Sequence, residues 1–142
     1  MLKILVPVDG SECALRALQT AIAMAGQHGN NAELHLLNAP VPILSGHARM
    51  FLNKQDVQKY YDEEGEKALA DARQAAEQAG VPFVTAVQAG PSAQTIAAYA
   101  RMHQCAHIVM GTRGLSALPG ILLGSVASKV IHLADVPVTL VK

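Results

Sequence analysis

The chain has 142 residues, about half of them apolar and 15% charged, and its 11 basic side chains balance 11 acidic ones. That length and composition fit one folded domain, residues 1–142, and exclude a disordered chain. The neutral balance excludes a general attraction to nucleic acid or to an anionic membrane. No apolar run reaches the roughly 18 residues that a membrane span needs.

Residues Leu2–Val8 form a short aliphatic run that reads as a buried strand, not as a signal peptide. Ser11 offers an N-cap to the next helix, in which Ala14, Leu18, Ala21, Ile22 and Ala25 share a face and Gly26–Gly29 bring it to a stop. Ala32–Ala39 is a second strand. The stretch Pro40–Gln55, with two prolines and a glycine, reads as a loop containing a short helical piece. Asp56 caps a long helix through Ala79 whose charges form a solvated face, and Gly65 inside it should cost about 1 kcal/mol relative to alanine. Gly80 and Pro82 end it. "PFVTAVQA" is the third strand, and Gly90-Pro91-Ser92 opens a helix that runs to about His103. Ala106–Met110 is the fourth strand, Ser125–Leu133 the last helix and Val136–Val141 the fifth strand.

Strands rich in Val, Ile and Leu thus alternate with amphipathic helices, which predicts a doubly wound α/β domain with a parallel sheet covered on both faces. Ligands of such sheets bind beyond the carboxyl ends of the strands, where the winding direction reverses. "PVDGS" after the first strand and "MGTRG" after the fourth have the right character. If those strands are neighbours, Asp9 and Gly111 face each other across one crevice.

Neither the P-loop run G-x-x-x-x-G-K-[ST] nor a G-x-G-x-x-G fingerprint after the first strand is present. What remains is G-x2-G-x9-G-S, formed by Gly111, Gly114, Gly124 and Ser125. Gly111 and Gly114 permit positive φ and leave amide groups unobstructed by a β-carbon. Gly124-Ser125 opens the last helix, so free N–H groups, a hydroxyl and the positive dipole end converge there on an anion. Arg113 adds a charge-assisted donor, and Asp9 can accept from ribose hydroxyls or approach a metal riding on phosphates. Glycine-rich turns after strands also occur as plain architecture, and that alternative stands beside phosphate binding.

With "KILVPVDGS", "AHIVMGTRG", "LLGSVASKVI" and "VPVTLVK" in that order, the chain resembles the universal stress protein family over its whole length. The resemblance implies an open five-stranded parallel sheet of order 3-2-1-4-5 with two helices on each face. Members of the family that bind ATP carry G-x2-G-x9-G-[ST], and this chain matches every position. Carried over residue by residue, the ribose and metal-side acid is Asp9, and the adenine pocket is formed by Val8, Ala39 and Met110. The phosphate contacts are Gly111, Arg113, Gly114, Gly124, Ser125 and Val126. ATP with Mg²⁺ on its phosphates is the implied cofactor.

Other constellations offer less. His103, Cys105 and His107 crowd "HQCAH", but they end a helix and enter a strand, so their side chains are expected to diverge, and zinc normally wants four ligands. "GSVAS" lacks the G-x-S-x-G elbow of a serine hydrolase. Cys13 and Cys105 read as packed, inert thiols, which makes a reducing cytoplasm the default location. The terminal strand, residues 136–141, is apolar, and in the implied order it lies at a sheet edge, which predicts a homodimer pairing two copies antiparallel. Three functions follow: a nucleotide-binding regulatory protein read by an unidentified protein partner, a slow ATPase or phosphotransferase, or a nucleotide-free dimerisation module. The cleft offers no P-loop lysine and no clear base, which weighs against efficient turnover.

Overall fold

A computed structural model describes residues 1–29, 31–42, 53–115 and 118–142. Five strands, β1 (Leu2–Pro7), β2 (Ala32–Asn38), β3 (Phe83–Val87), β4 (His107–Gly111) and β5 (Val138–Val141), form one parallel sheet in the order β3-β2-β1-β4-β5. Among the described residues there are four helices, α1 (Glu12–Gln27), α2 (Lys54–Ala79), α3 (Ser92–Met102) and α4 (Ser125–Leu133). The architecture and strand order expected from the sequence are those observed. The short helical piece expected within Pro40–Gln55 falls mainly on residues 43–52, which lie outside the described residues.

The pleat of β1 divides the core. Ile4, Val6 and Val8 face α1 and α2, where they meet Leu18, Ala21, Leu69 and Ala72. Leu5 faces the other way, into a second cluster with Ile96 and Tyr99 of α3 and Ala127 and Val130 of α4. Alternation of side chains along a strand therefore gives each face its own pair of helices.

Caps set the helix ends. The Ser11 side chain accepts from the Ala14 N–H at 3.1 Å, as expected. Asp56 does not cap α2. The Asn53 side chain does so, accepting from the Asp56 N–H at 2.8 Å, and the helix starts at Lys54. Asn53 and Asp56 are both residue types that cap well, and the upstream one takes the role while the acid sits in the first turn, favourable to the dipole. Gly80 closes the helix in the left-handed conformation, φ +68°.

Gly65 is not an idle flaw in α2. A β-carbon there would overlap both γ-carbons of Val87 on β3, reaching 2.7 Å from Cγ1 and closer still to Cγ2. The missing side chain is what lets the helix lie against the sheet at this point. β5 begins at Val138, two residues later than expected, because Val136-Pro137 precede the ladder; the Pro137 carbonyl accepts from the Ile108 N–H at 3.0 Å.

Candidate functional site

β1 pairs with β2 on one side and β4 on the other, so the order reverses at the β1–β4 boundary. Beyond the carboxyl ends of those two strands lies a cleft of about 860 Å³, within the size range of small-molecule sites. Val8, Asp9, Ala39, Met110, Gly111, Arg113, Gly114, Gly124, Ser125 and Val126 all line it. The sheet topology therefore gathers every candidate named from the sequence around one space.

Asp9 is fixed between two segments. Its Oδ1 accepts from the Ser11 N–H at 2.9 Å, and its Oδ2 accepts from the Leu115 N–H at 3.3 Å across the cleft. It and Arg113, which is exposed at the rim, are the only charged side chains lining the cleft among the described residues.

The glycines act by what they lack, not by unusual torsion. Neither Gly111, Gly114 nor Gly124 has positive φ, so the conformational freedom expected of the first two is not what the loop uses. A β-carbon on Gly111 would stand 2.7 Å from Cys13 Sγ and 3.2 Å from the Arg113 carbonyl oxygen, where α1 passes under the loop. One on Gly114 would stand 2.5 Å from Asp9 Oδ2. Gly124 comes close to Thr112, and its N–H donates to the Thr112 carbonyl at 2.7 Å, which closes the loop on itself.

That closure aims α4. Gly124 is its N-cap and no side chain caps it. The first helical bond runs from Ser128 N–H to the Gly124 carbonyl at 3.0 Å, which leaves the N–H groups of Ser125, Val126 and Ala127 without intrahelical acceptors. All three residues line the cleft. Free donors and the positive helix end at one wall make that wall suited to an anion.

The opposite wall is apolar and tightly pinned. Met110 and Val8 are buried, and Ala39 is half-buried. The Asn38 amide donates to the Val8 carbonyl at 2.8 Å, and the Ser92 hydroxyl donates to the Ala39 carbonyl at 2.7 Å. Asn38, Ser92, Ile96 and Thr112 also line the cleft and were not identified from the sequence. A signal was present for Asn38, an amide that directly follows the apolar run Leu36-Leu37 at the end of β2.

The two thiols are both buried but differ electrically. Burial pushes the Cys13 thiol up, but hydrogen bonds with Arg113 and Thr112 and the nearby Arg16 charge outweigh it and hold it below its ordinary value. Burial pushes Cys105 up to about 11. The "HQCAH" side chains go separate ways: His103 stacks on Tyr99 with ring centroids 4.0 Å apart, and His107 Nε2 lies 2.7 Å from Thr139 Oγ1. No group of three or more His, Cys, Asp or Glu among the described residues could hold a metal ion.

Comparison with known proteins matches residues 1–142 to the model of the universal stress protein family. This chain belongs to the universal stress protein family. It is 35% identical to universal stress protein MJ0531 of Methanocaldococcus jannaschii, with 99% of this chain and 81% of that protein covered. Among solved structures, a universal stress protein UspA from Lactobacillus plantarum superposes with a TM-score of 0.84 at 26% identity, over 99% of this chain and 97% of that one. A universal stress protein in complex with cAMP superposes with a TM-score of 0.74 at 27% identity, over 99% and 97% of the two chains. No helix among the described residues of this universal stress protein is long and apolar enough to cross a membrane.

Proposed function

We propose that this chain is an adenine nucleotide-binding regulatory protein that acts as a homodimer in the cytoplasm, with little or no turnover of its nucleotide. The observation that carries the reading is the uncapped N-terminus of α4 facing Asp9 across a cleft of nucleotide size. ATP phosphates would lie on Gly111–Gly114 and on the N–H groups of Ser125 and Val126, with Arg113 adding charge. Asp9 would accept from the ribose, and the base would lie among Val8, Ala39 and Met110. The cAMP complex of a 27% identical relative supports an adenine nucleotide as the ligand.

Mg²⁺ fits as an ion brought by the phosphates. The cleft has one acidic side chain among its described residues, and magnesium commonly takes one or two carboxylates together with phosphate oxygens and water. Asp9 would supply that oxygen. Hydrolysis lacks support because the cleft pairs this single acid with no lysine and no histidine among its described lining residues.

The test is the nucleotide carried by freshly purified protein, released by heat and identified by ion-exchange chromatography with mass spectrometry. Near-stoichiometric ATP supports the reading. An empty protein that also ignores Mg-ATP in calorimetry overturns it, and steady-state phosphate release above about 1 s⁻¹, an ordinary enzymatic rate, would make it an enzyme.

A further inference from the structure

Midway along its length, outside the residues that line the cleft, β2 buries an imidazole. His35 is 4% exposed, and both of its ring nitrogens are engaged. Nε2 lies 2.9 Å from Glu33 Oε1, and Nδ1 lies 3.0 Å from the Tyr99 hydroxyl of α3. A carboxylate only accepts, so Nε2 carries the proton; Nδ1 of the neutral ring is then an acceptor and the phenol donates to it. This pattern fixes the neutral form of the ring.

Protonation at Nδ1 puts two donors face to face. The Tyr99 hydroxyl would have to turn its proton away inside a buried cluster, where His35 is its hydrogen-bond partner. An unmade hydrogen bond in such a place is costly. The surrounding groups are Lys3 on β1, Glu33 on β2, His103 at the end of α3 and Cys105 in the turn that follows. Lys3 Nζ donates to the His103 carbonyl at 3.3 Å, and the His103 ring lies 5.7 Å from that of His35. Lys3 and His103 oppose a further positive charge, Glu33 favours it, and the Cys105 thiol, pushed up by burial to about 11, stays neutral.

We propose that His35 is an acid-sensitive joint between β2 and α3: neutral, it accepts from Tyr99, and protonated, it reverses that hydrogen bond, strands the phenol proton without an acceptor in the buried cluster and so weakens the hold of α3 on the sheet. Burial holds His35 below its ordinary 6.5, and Glu33 only partly offsets this. The sign follows from linkage. The unfolded chain takes up the proton first, so the stabilisation is present above about pH 6.5 and is lost as pH falls through the depressed folded value. This joint does not depend on what the cleft binds.

The experiment follows the His35 ring carbon by NMR from pH 8 to 5, in wild type and in Tyr99→Phe and Glu33→Gln, with the resonance assigned through His35→Gln. The wild-type midpoint is expected below 6.5. Tyr99→Phe removes the donor that favours the neutral ring and moves the midpoint up, whereas Glu33→Gln removes the partner of the charged ring and moves it down. Protection factors of the Tyr99–Met102 amides, corrected for the intrinsic pH dependence of exchange, should fall through the same pH range. A wild-type midpoint at or above 6.5, shifts of the same sign in the two variants, or protection in α3 that ignores the titration overturns the proposal. If His35→Gln fails to fold, the resonance is assigned through its nuclear Overhauser contacts with the Tyr99 ring, and the two conservative variants still decide the proposal.

Discussion

The carboxylate of Asp9 occupies the place where a side chain on Gly114 would begin, with Oδ2 2.5 Å from the β-carbon position and bonded to the N–H of the next residue, Leu115. The two residues are 105 positions apart in sequence, and the pairing of β1 with β4 brings them together. Gly114→Val must therefore displace Asp9 or the loop. We expect nucleotide affinity to fall at least about tenfold, which is about 1.4 kcal/mol. Gly114 is exposed, so the circular dichroism spectrum and melting temperature should stay close to those of wild type. Calorimetry with Mg-ATP, run beside thermal melts, checks both; unaltered affinity would refute the placement of phosphates on this loop.

Gly65 tests packing against propensity. On an open helix surface, Gly65→Ala would gain about 1 kcal/mol. Here the added carbon meets Val87, and overpacking of this kind costs about 1–3 kcal/mol. The urea midpoint is therefore expected to fall. A rise would mean that α2 can move off β3 cheaply.

Asn53→Ala should lower stability by about 1 kcal/mol through loss of the α2 cap, and Asp56→Ala should cost less. Equal losses, read from the same urea curves, would return the capping role to Asp56.

Alkaline stability should follow Cys105. Its thiol is pushed up to about 11 by burial, from an ordinary 9.0. Because the unfolded thiol ionises first, the stabilisation is complete below about pH 9 and drains away as pH rises toward 11. The denaturation midpoint of wild type should fall over that window, and Cys105→Ala should show a shallower fall. Parallel pH profiles would show that Cys105 is not the group responsible.

The dimer prediction rests on β5, which pairs with β4 alone among the described strands and so leaves one edge of its backbone open. Light scattering at tens of micromolar should give about twice the chain mass of 14.9 kDa. A mass equal to one chain would leave the edge unpaired and remove the homodimer from the proposed function.

The fold was legible because its strands and helices announce themselves by local pattern: aliphatic runs such as Leu2–Val8, a cap at Ser11, a stop at Gly80. Part of the cleft was legible for a related reason, since glycines after a strand and before a helix are local in sequence, whereas Val8, Ala39, Met110 and Val126 came only with the family resemblance. What those glycines do was not legible. Gly111 answers to Cys13 and Gly114 to Asp9, and each crowding atom comes from the far end of the chain. Gly65 looked like a helix weakness for the same reason, because Val87 lies on a later strand. His35 forms no spacing in the sequence that points to a role, and it shows nothing until Glu33 and Tyr99 are seen on either side of its ring.

α3 has two moorings. Ser92, at its start, is tied to the Ala39 carbonyl at the rim of the cleft, and Tyr99, two turns on, is tied to His35 deep in the sheet. A helix is stiff over that distance, about 10 Å at 1.5 Å per residue. It behaves as a short lever with a pivot at each end, and slackening either one changes how firmly the other is held. Substitutions at Tyr99 would then register in ligand binding although Tyr99 does not line the cleft. A survey confined to residues around the ligand would overlook one of the two points from which this wall can be adjusted.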